Sequence, residues 1–75
     1  MILTPQQCKM ARVGLGLGVR DLARLAKVSP NTVTRLERGE LLLPRTLRTI
    51  RSALETAGVE LIDENGGGPG VRLRR

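Results

Sequence analysis

Residues 18–39 read GVRDLARLAKVSPNTVTRLERG. In the first half Val19, Leu22, Ala23, Leu25 and Ala26 recur at helical spacing, and a second apolar pattern resumes on Val33 and Leu36. Between them, Lys27-Val28 breaks the pattern and Ser29-Pro30 restarts it. Ser29 is a preferred N-cap, because its hydroxyl accepts from an otherwise orphan backbone N–H. Pro30 suits the next position, where its missing donor costs nothing and its φ is already helical. Gly39 can take the left-handed conformation that ends a helix. The stretch therefore predicts a helix over 19–26, a short turn and a helix over 30–38. Two short helices so joined form a helix-turn-helix unit, whose second helix enters the DNA major groove.

The side chains outside the expected core fit that role. Asn31, Thr32, Thr34, Arg35 and Arg38 point away from Val33 and Leu36, with acidic Glu37 set among them. Arginine reads guanine through a two-pronged bond, asparagine reads adenine, and threonine bonds a base or touches a thymine methyl. A solvated helix in a small bundle also carries polar residues outside. Turn chemistry and charge together favour the DNA-reading helix.

Leu15-Gly16, Leu22-Ala23, Val28-Ser29, Thr32, Leu36-Glu37 and Gly39 together resemble the pattern of the XRE family, the lambda-repressor/Cro-like regulators. The resemblance covers most of residues 5–57. It implies a mainly α fold: a lambda-repressor-like DNA-binding domain of four to five helices. Two positions depart from the family pattern. Gly18 stands where a Ser or Thr usually caps the second helix, and Lys27 stands where Gly is favoured at the turn. A non-Gly residue at positive φ is uncommon but tolerated.

Seventy-five residues make one small domain. There are no aromatic residues, so the core is aliphatic. A core this small is marginal alone, and oligomerisation is a common remedy. The net charge of +6 is uneven. Residues 9–51 hold ten basic side chains against three acidic, and residues 52–75 hold three against four. The positive field coincides with the helix-turn-helix, as expected of a surface that neutralises phosphates. Single-stranded RNA modules stack bases on aromatics, and this chain has none.

Further out, Thr4-Pro5-Gln6-Gln7 reads as a capped helix start. Helix one is expected over 5–15, burying Cys8, Ala11 and Leu15 and leaving Lys9 and Arg12 outside, Arg12 as a phosphate candidate. Cys8 is the only cysteine and reads as a buried small hydrophobe. The glycine-rich stretch Gly14–Gly18 follows a helix rather than a strand, so it is a connector and not a dinucleotide cradle, with Leu17 plugging the core. Helix four is expected over 44–57, closed by Gly58, with apolar Leu47, Ile50, Ala53, Leu54 and Ala57 on one side and Arg48 and Arg51 on a solvated face. The leucines Leu41, Leu42 and Leu43 before it are either core filler or a subunit contact.

After Gly58, Val59–Asp63 and Val71–Arg74 are short alternating runs around the turn signal Glu64–Gly70. They predict a C-terminal β-hairpin or strand pair, which needs support because an isolated hairpin is marginal. This tail also resembles the ending of short XRE-like regulators of proteobacteria and their mobile elements. The division expected is a DNA-binding unit over 1–58 and a dimerising extension over 59–75.

These readings lead to a sequence-specific binder of double-stranded DNA, a dimeric repressor on a near-palindromic operator. Asn31, Thr32, Thr34 and Arg35 would read bases. Gly18 (through its backbone), Arg20, Ser29, Arg38 and Arg45 would hold phosphates, the first of them at a helix N-terminus suited to anions. The alternative is a protein-binding module, an antiactivator or antitoxin acting on a partner. No histidine is present, the one cysteine is expected in the core and no metal-ligand spacing exists, so neither catalysis nor a cofactor is expected. No apolar run reaches membrane-spanning length, and a cytoplasmic location follows as the expectation.

Overall fold

The computed structural model describes residues 2–63 and 66–74. Among them are four helices, α1 (Pro5–Gly14), α2 (Val19–Ala26), α3 (Pro30–Glu37) and α4 (Pro44–Ala57), followed by strands β1 (Val59–Ile62) and β2 (Gly70–Leu73). The strands pair antiparallel, Val59 opposite Leu73 and Leu61 opposite Val71. The fold is mainly α with a C-terminal hairpin, as the sequence predicts. Of the expected turn Glu64–Gly70, Glu64 and Asn65 lie outside the described residues.

Caps and turns set the helix ends. Thr4 accepts from the Gln7 N–H at 3.0 Å while the Gln7 side chain accepts from the Thr4 N–H at 3.1 Å, a complete capping box. Ser29 accepts from the Thr32 N–H at 3.2 Å. The first three helices end alike. A left-handed residue follows each one, and the next N–H reaches back to the last turn: Leu17 to Arg12 O, Val28 to Ala23 O and Glu40 to Arg35 O. Glycine supplies the left-handed residue twice, as Gly16 and Gly39, but between α2 and α3 it is Lys27 at φ 58°. That side chain is crowded against its own backbone, a cost glycine would not incur.

One core joins all the elements. Leu3 before α1, Cys8 and Ala11 of α1, Leu22 of α2, Val33 and Leu36 of α3, Ile50 and Leu54 of α4 and Val59 of β1 are essentially inaccessible, and Leu61 is nearly so. Burying each of the leucine, isoleucine and valine side chains favours the fold by about 1.5–3 kcal/mol. The core continues past Gly58 into Val59 and Leu61, so the helices give the strands support. Gln7 fastens them further, donating from Nε2 to Ile62 O at 2.8 Å and Gly70 O at 3.2 Å.

Several expected core positions differ. Leu15 and Leu17 are only half-buried, Leu25 and Ala57 are exposed, and Leu3, before α1, is fully buried. The leucine run divides: Leu42 packs against the core, while Leu41 and Leu43 are 85% and 58% exposed.

Candidate nucleic-acid interface

Helix α3 has two unlike faces. Val33 and Leu36 are buried, and Asn31, Arg35 and Arg38, spaced four and three apart, are exposed on the opposite side. Thr32 and Thr34 flank that stripe, half-buried. Ser29 is exposed at the helix start, its hydroxyl 2.8 Å from that of Thr32. Thr32 and Arg35 also line an open groove between α3 and the connector, whose other wall is Leu41, Leu42, Leu43, Pro44 and Thr46.

Glu37 does not belong to the exposed set. Four residues on from Val33, it lies only about 40° round the helix from it, and its side chain is 10% exposed. There it meets Arg12 of α1 in a two-pronged ion pair: Nε to Oε2 at 2.8 Å and the second terminal nitrogen to Oε1 at 3.0 Å. The remaining Arg12 nitrogen donates to Leu17 O at 3.1 Å, tying in the connector. Arg12 was expected outside as a phosphate contact, but the same four-residue step from Cys8 turns it inward, and its side chain is 14% exposed. The bond to Glu37 raises the Arg12 pKa above its ordinary value. Cys8 completes the cluster, its thiol donating to Glu37 Oε2 at 3.4 Å. Burial, reinforced by the Glu37 charge, pushes the Cys8 pKa up to about 12. Its thiol stays protonated at neutral pH, the state that suits a donor and not a nucleophile. This cluster joins α3 to α1.

The other expected phosphate ligands lie near helix starts. Gly18 is the N-cap of α2, and its N–H donates to Asp21 Oδ2 at 2.8 Å, half of a capping box. The carboxylate therefore already occupies the Gly18 donor, while α2 still offers the other orphan N–H groups of its first turn. Exposed Arg20 is in that turn. Helix α4 has Leu43 as its N-cap, which gives no side-chain cap, and no acidic residue in its first turn, where exposed Arg45 lies instead. Cations at helix N-termini oppose the helix dipole by about 0.3–1 kcal/mol each.

Arg51, expected on a solvated face, is instead a junction. Its side chain is 23% exposed and bonds Ile2 O at 2.6 Å, Glu55 at 3.3 Å and Asp63 at 3.3 Å. Arg74 in turn bonds Glu55 O at 2.8 Å at the C-terminal end of α4. Arg48 is exposed, as expected.

Two helices locked by a tight turn, with the second presenting a polar, arginine-bearing stripe, define a helix-turn-helix, a DNA-binding class of domain. Residues 6–64 match the family model described as Helix-turn-helix domain, and the chain belongs to that family. The match agrees with a small XRE-like regulator. No curated protein matched the chain. No helix among the described residues is long and apolar enough to cross a membrane.

Proposed function

We propose that this protein is a sequence-specific transcriptional regulator of double-stranded DNA, acting in the cytoplasm as a dimeric repressor. The observation that carries the reading is the exposed stripe Asn31–Arg35–Arg38, opposite the buried Val33 and Leu36. Asn31, Thr34 and Arg35 read base edges with Thr32 assisting, while Arg38 and Ser29 hold the backbone. Arg20 and Arg45 sit where a cation is unfavourable alone, and a DNA phosphate at each helix start would offset that cost. The α2 terminus takes its phosphate through the first-turn N–H groups beyond Gly18. Members of this family are typically not enzymes, and no catalytic role is proposed.

The dimer reading rests on the hairpin. Arg74 donates its backbone N–H to Gly58 O at 2.8 Å, so by antiparallel alternation Val71 and Leu73 turn their backbone groups toward the outer edge of β2. Leu73 is 41% exposed, and Met10 and Val13 of neighbouring α1 are 45% and 61% exposed. A second β2 pairing there would cover this apolar margin and set two recognition helices about one DNA turn apart, roughly 34 Å. Sedimentation of Leu73→Glu should show monomers with native circular dichroism. A dimer that survives the change defeats the hairpin interface.

The DNA reading is tested by fluorescence anisotropy on duplexes from the DNA flanking the gene, beside a scrambled duplex. A preference of about a thousandfold or more supports it, and equal, salt-steep binding to both defeats it. Exposed Leu41 and Leu43 favour a second reading, docking on a partner protein through the connector. In that case Leu41→Ser with Leu43→Ser abolishes function while Asn31→Ala leaves it intact.

A further inference from the structure

Glu40 lies just beyond α3, and its place is set by the backbone. Gly39 at φ 95° ends the helix, and the Glu40 N–H bonds Arg35 O at 3.1 Å. This turn carries the Glu40 side chain back to Arg35, where Oε1 accepts from Nε at 3.0 Å. The pair is roughly half exposed, at 44% and 46%. Exposed pairs of this kind add little to stability. Among the described residues, Nε is the Arg35 side-chain atom that is engaged, and the two terminal amino groups make no bond.

That geometry matters for what Arg35 can read. A guanidinium is a rigid planar fork of five donors. With Nε held by a carboxylate, the end-on edge formed by the two terminal amino groups is presented outward, and it matches guanine O6 and N7. A free arginine at the same site would lose more side-chain freedom on binding and could approach the groove by either edge. We propose that Glu40 is a positioning residue for base recognition: it holds Arg35 end-on toward the major groove and thereby sets discrimination at one base pair. The proposal rests on the reading of α3 as the base-reading helix.

Positioning and plain electrostatics predict opposite outcomes, which makes the test sharp. A carboxylate near phosphates weakens binding to every sequence, so its removal alone should tighten binding to all DNA alike. The probe is a duplex selected by the wild-type protein from a randomised pool, with its single-base-pair variants and a scrambled duplex, read by anisotropy. For Glu40→Ala, affinity for the scrambled duplex should rise roughly twofold to threefold. Preference for the selected duplex should fall about tenfold, concentrated at one base pair. Glu40→Gln should retain most of the preference, because its amide oxygen still accepts from Nε. In an Arg35→Ala background, Glu40→Ala should leave the preference unchanged. If Glu40→Ala tightens binding to selected and scrambled duplexes equally, with the base-pair profile intact, the positioning role is overturned while the DNA reading stands. If the wild-type pool yields no preferred duplex, the DNA reading itself falls, and this inference with it.

Discussion

Six arginines of this molecule fall into two groups that composition cannot separate. At seams between elements, Arg12 joins α1 to α3, Arg51 joins α4 to the segment before α1, and Arg74 joins the end of the hairpin to α4, each engaged by carboxylates or carbonyl oxygens of the chain itself. By contrast, Arg35, Arg38 and Arg45 are exposed, and Glu40 is the one protein group bonded to any of their side chains among the described residues. The seam arginines hold segments together that are distant in sequence. The surface arginines leave most of their donors to an outside ligand. The thirteen basic residues therefore overstate the cations available to DNA, because several are paired within the fold.

Substitutions in the two groups should separate them cleanly. Largest is Glu37→Ala, which leaves Arg12 buried without its partner. Breaking a buried pair costs about 3–5 kcal/mol, a large share of a small domain's stability, and urea unfolding should show it. Replacing both partners, Arg12→Met with Glu37→Leu, should restore most of the loss if the pair acts only through burial; a double variant as unstable as the single one would mean that the pair orients α3 in a way packing cannot replace.

Next come Arg51→Ala and Arg38→Ala, compared directly. Arg51→Ala removes a charged bond to Ile2 O and should lower stability by about 1–3 kcal/mol, with the salt dependence of DNA binding unchanged. Arg38→Ala should leave the unfolding curve in place and reduce the salt slope by about one. Equal effects on both readouts would erase the distinction between the groups.

Cys8 gives a pH signature of the seam between α1 and α3. Its pKa is raised from 9.0 to about 12 in the fold, so the unfolded chain releases the proton first. The stabilisation is complete below about pH 9 and is lost as pH rises toward 12. Denaturation midpoints should fall between pH 8 and pH 10, and Cys8→Ala should reduce that fall. An unchanged pH dependence in Cys8→Ala would place its origin elsewhere. The smallest effect is expected at the turn: Lys27→Gly relieves a left-handed side chain and should raise stability by about 0.5–1 kcal/mol, measured by thermal melting.

Much of the fold was legible because it is written locally. Thr4 with Gln7, Ser29 with Pro30, and the closing glycines mark helix ends through bonds spanning a few residues. Helices α2 and α4 begin and end where the pattern predicts, while α1 and α3 each stop one residue sooner. The exposed polar stripe of α3 was legible too, since helical spacing alone sets Asn31 and Arg35 opposite Val33. What polarity hid was the inward turn of Arg12, Glu37 and Arg51. A charged side chain reads as solvent-facing unless its partner is known. The signal was present as the four-residue steps Cys8 to Arg12 and Val33 to Glu37, which place charges beside core positions.

The sequence by itself determined four helices, a hairpin and a polar face on α3, because each depends on backbone preferences and periodicities within a few residues. The tertiary structure alone decided which charges are structural. Arg12 finds Glu37 across 25 residues and Arg51 finds Ile2 across 49. Such pairs form only when packing removes water from around them and brings the partners within reach, and no local pattern encodes that distance.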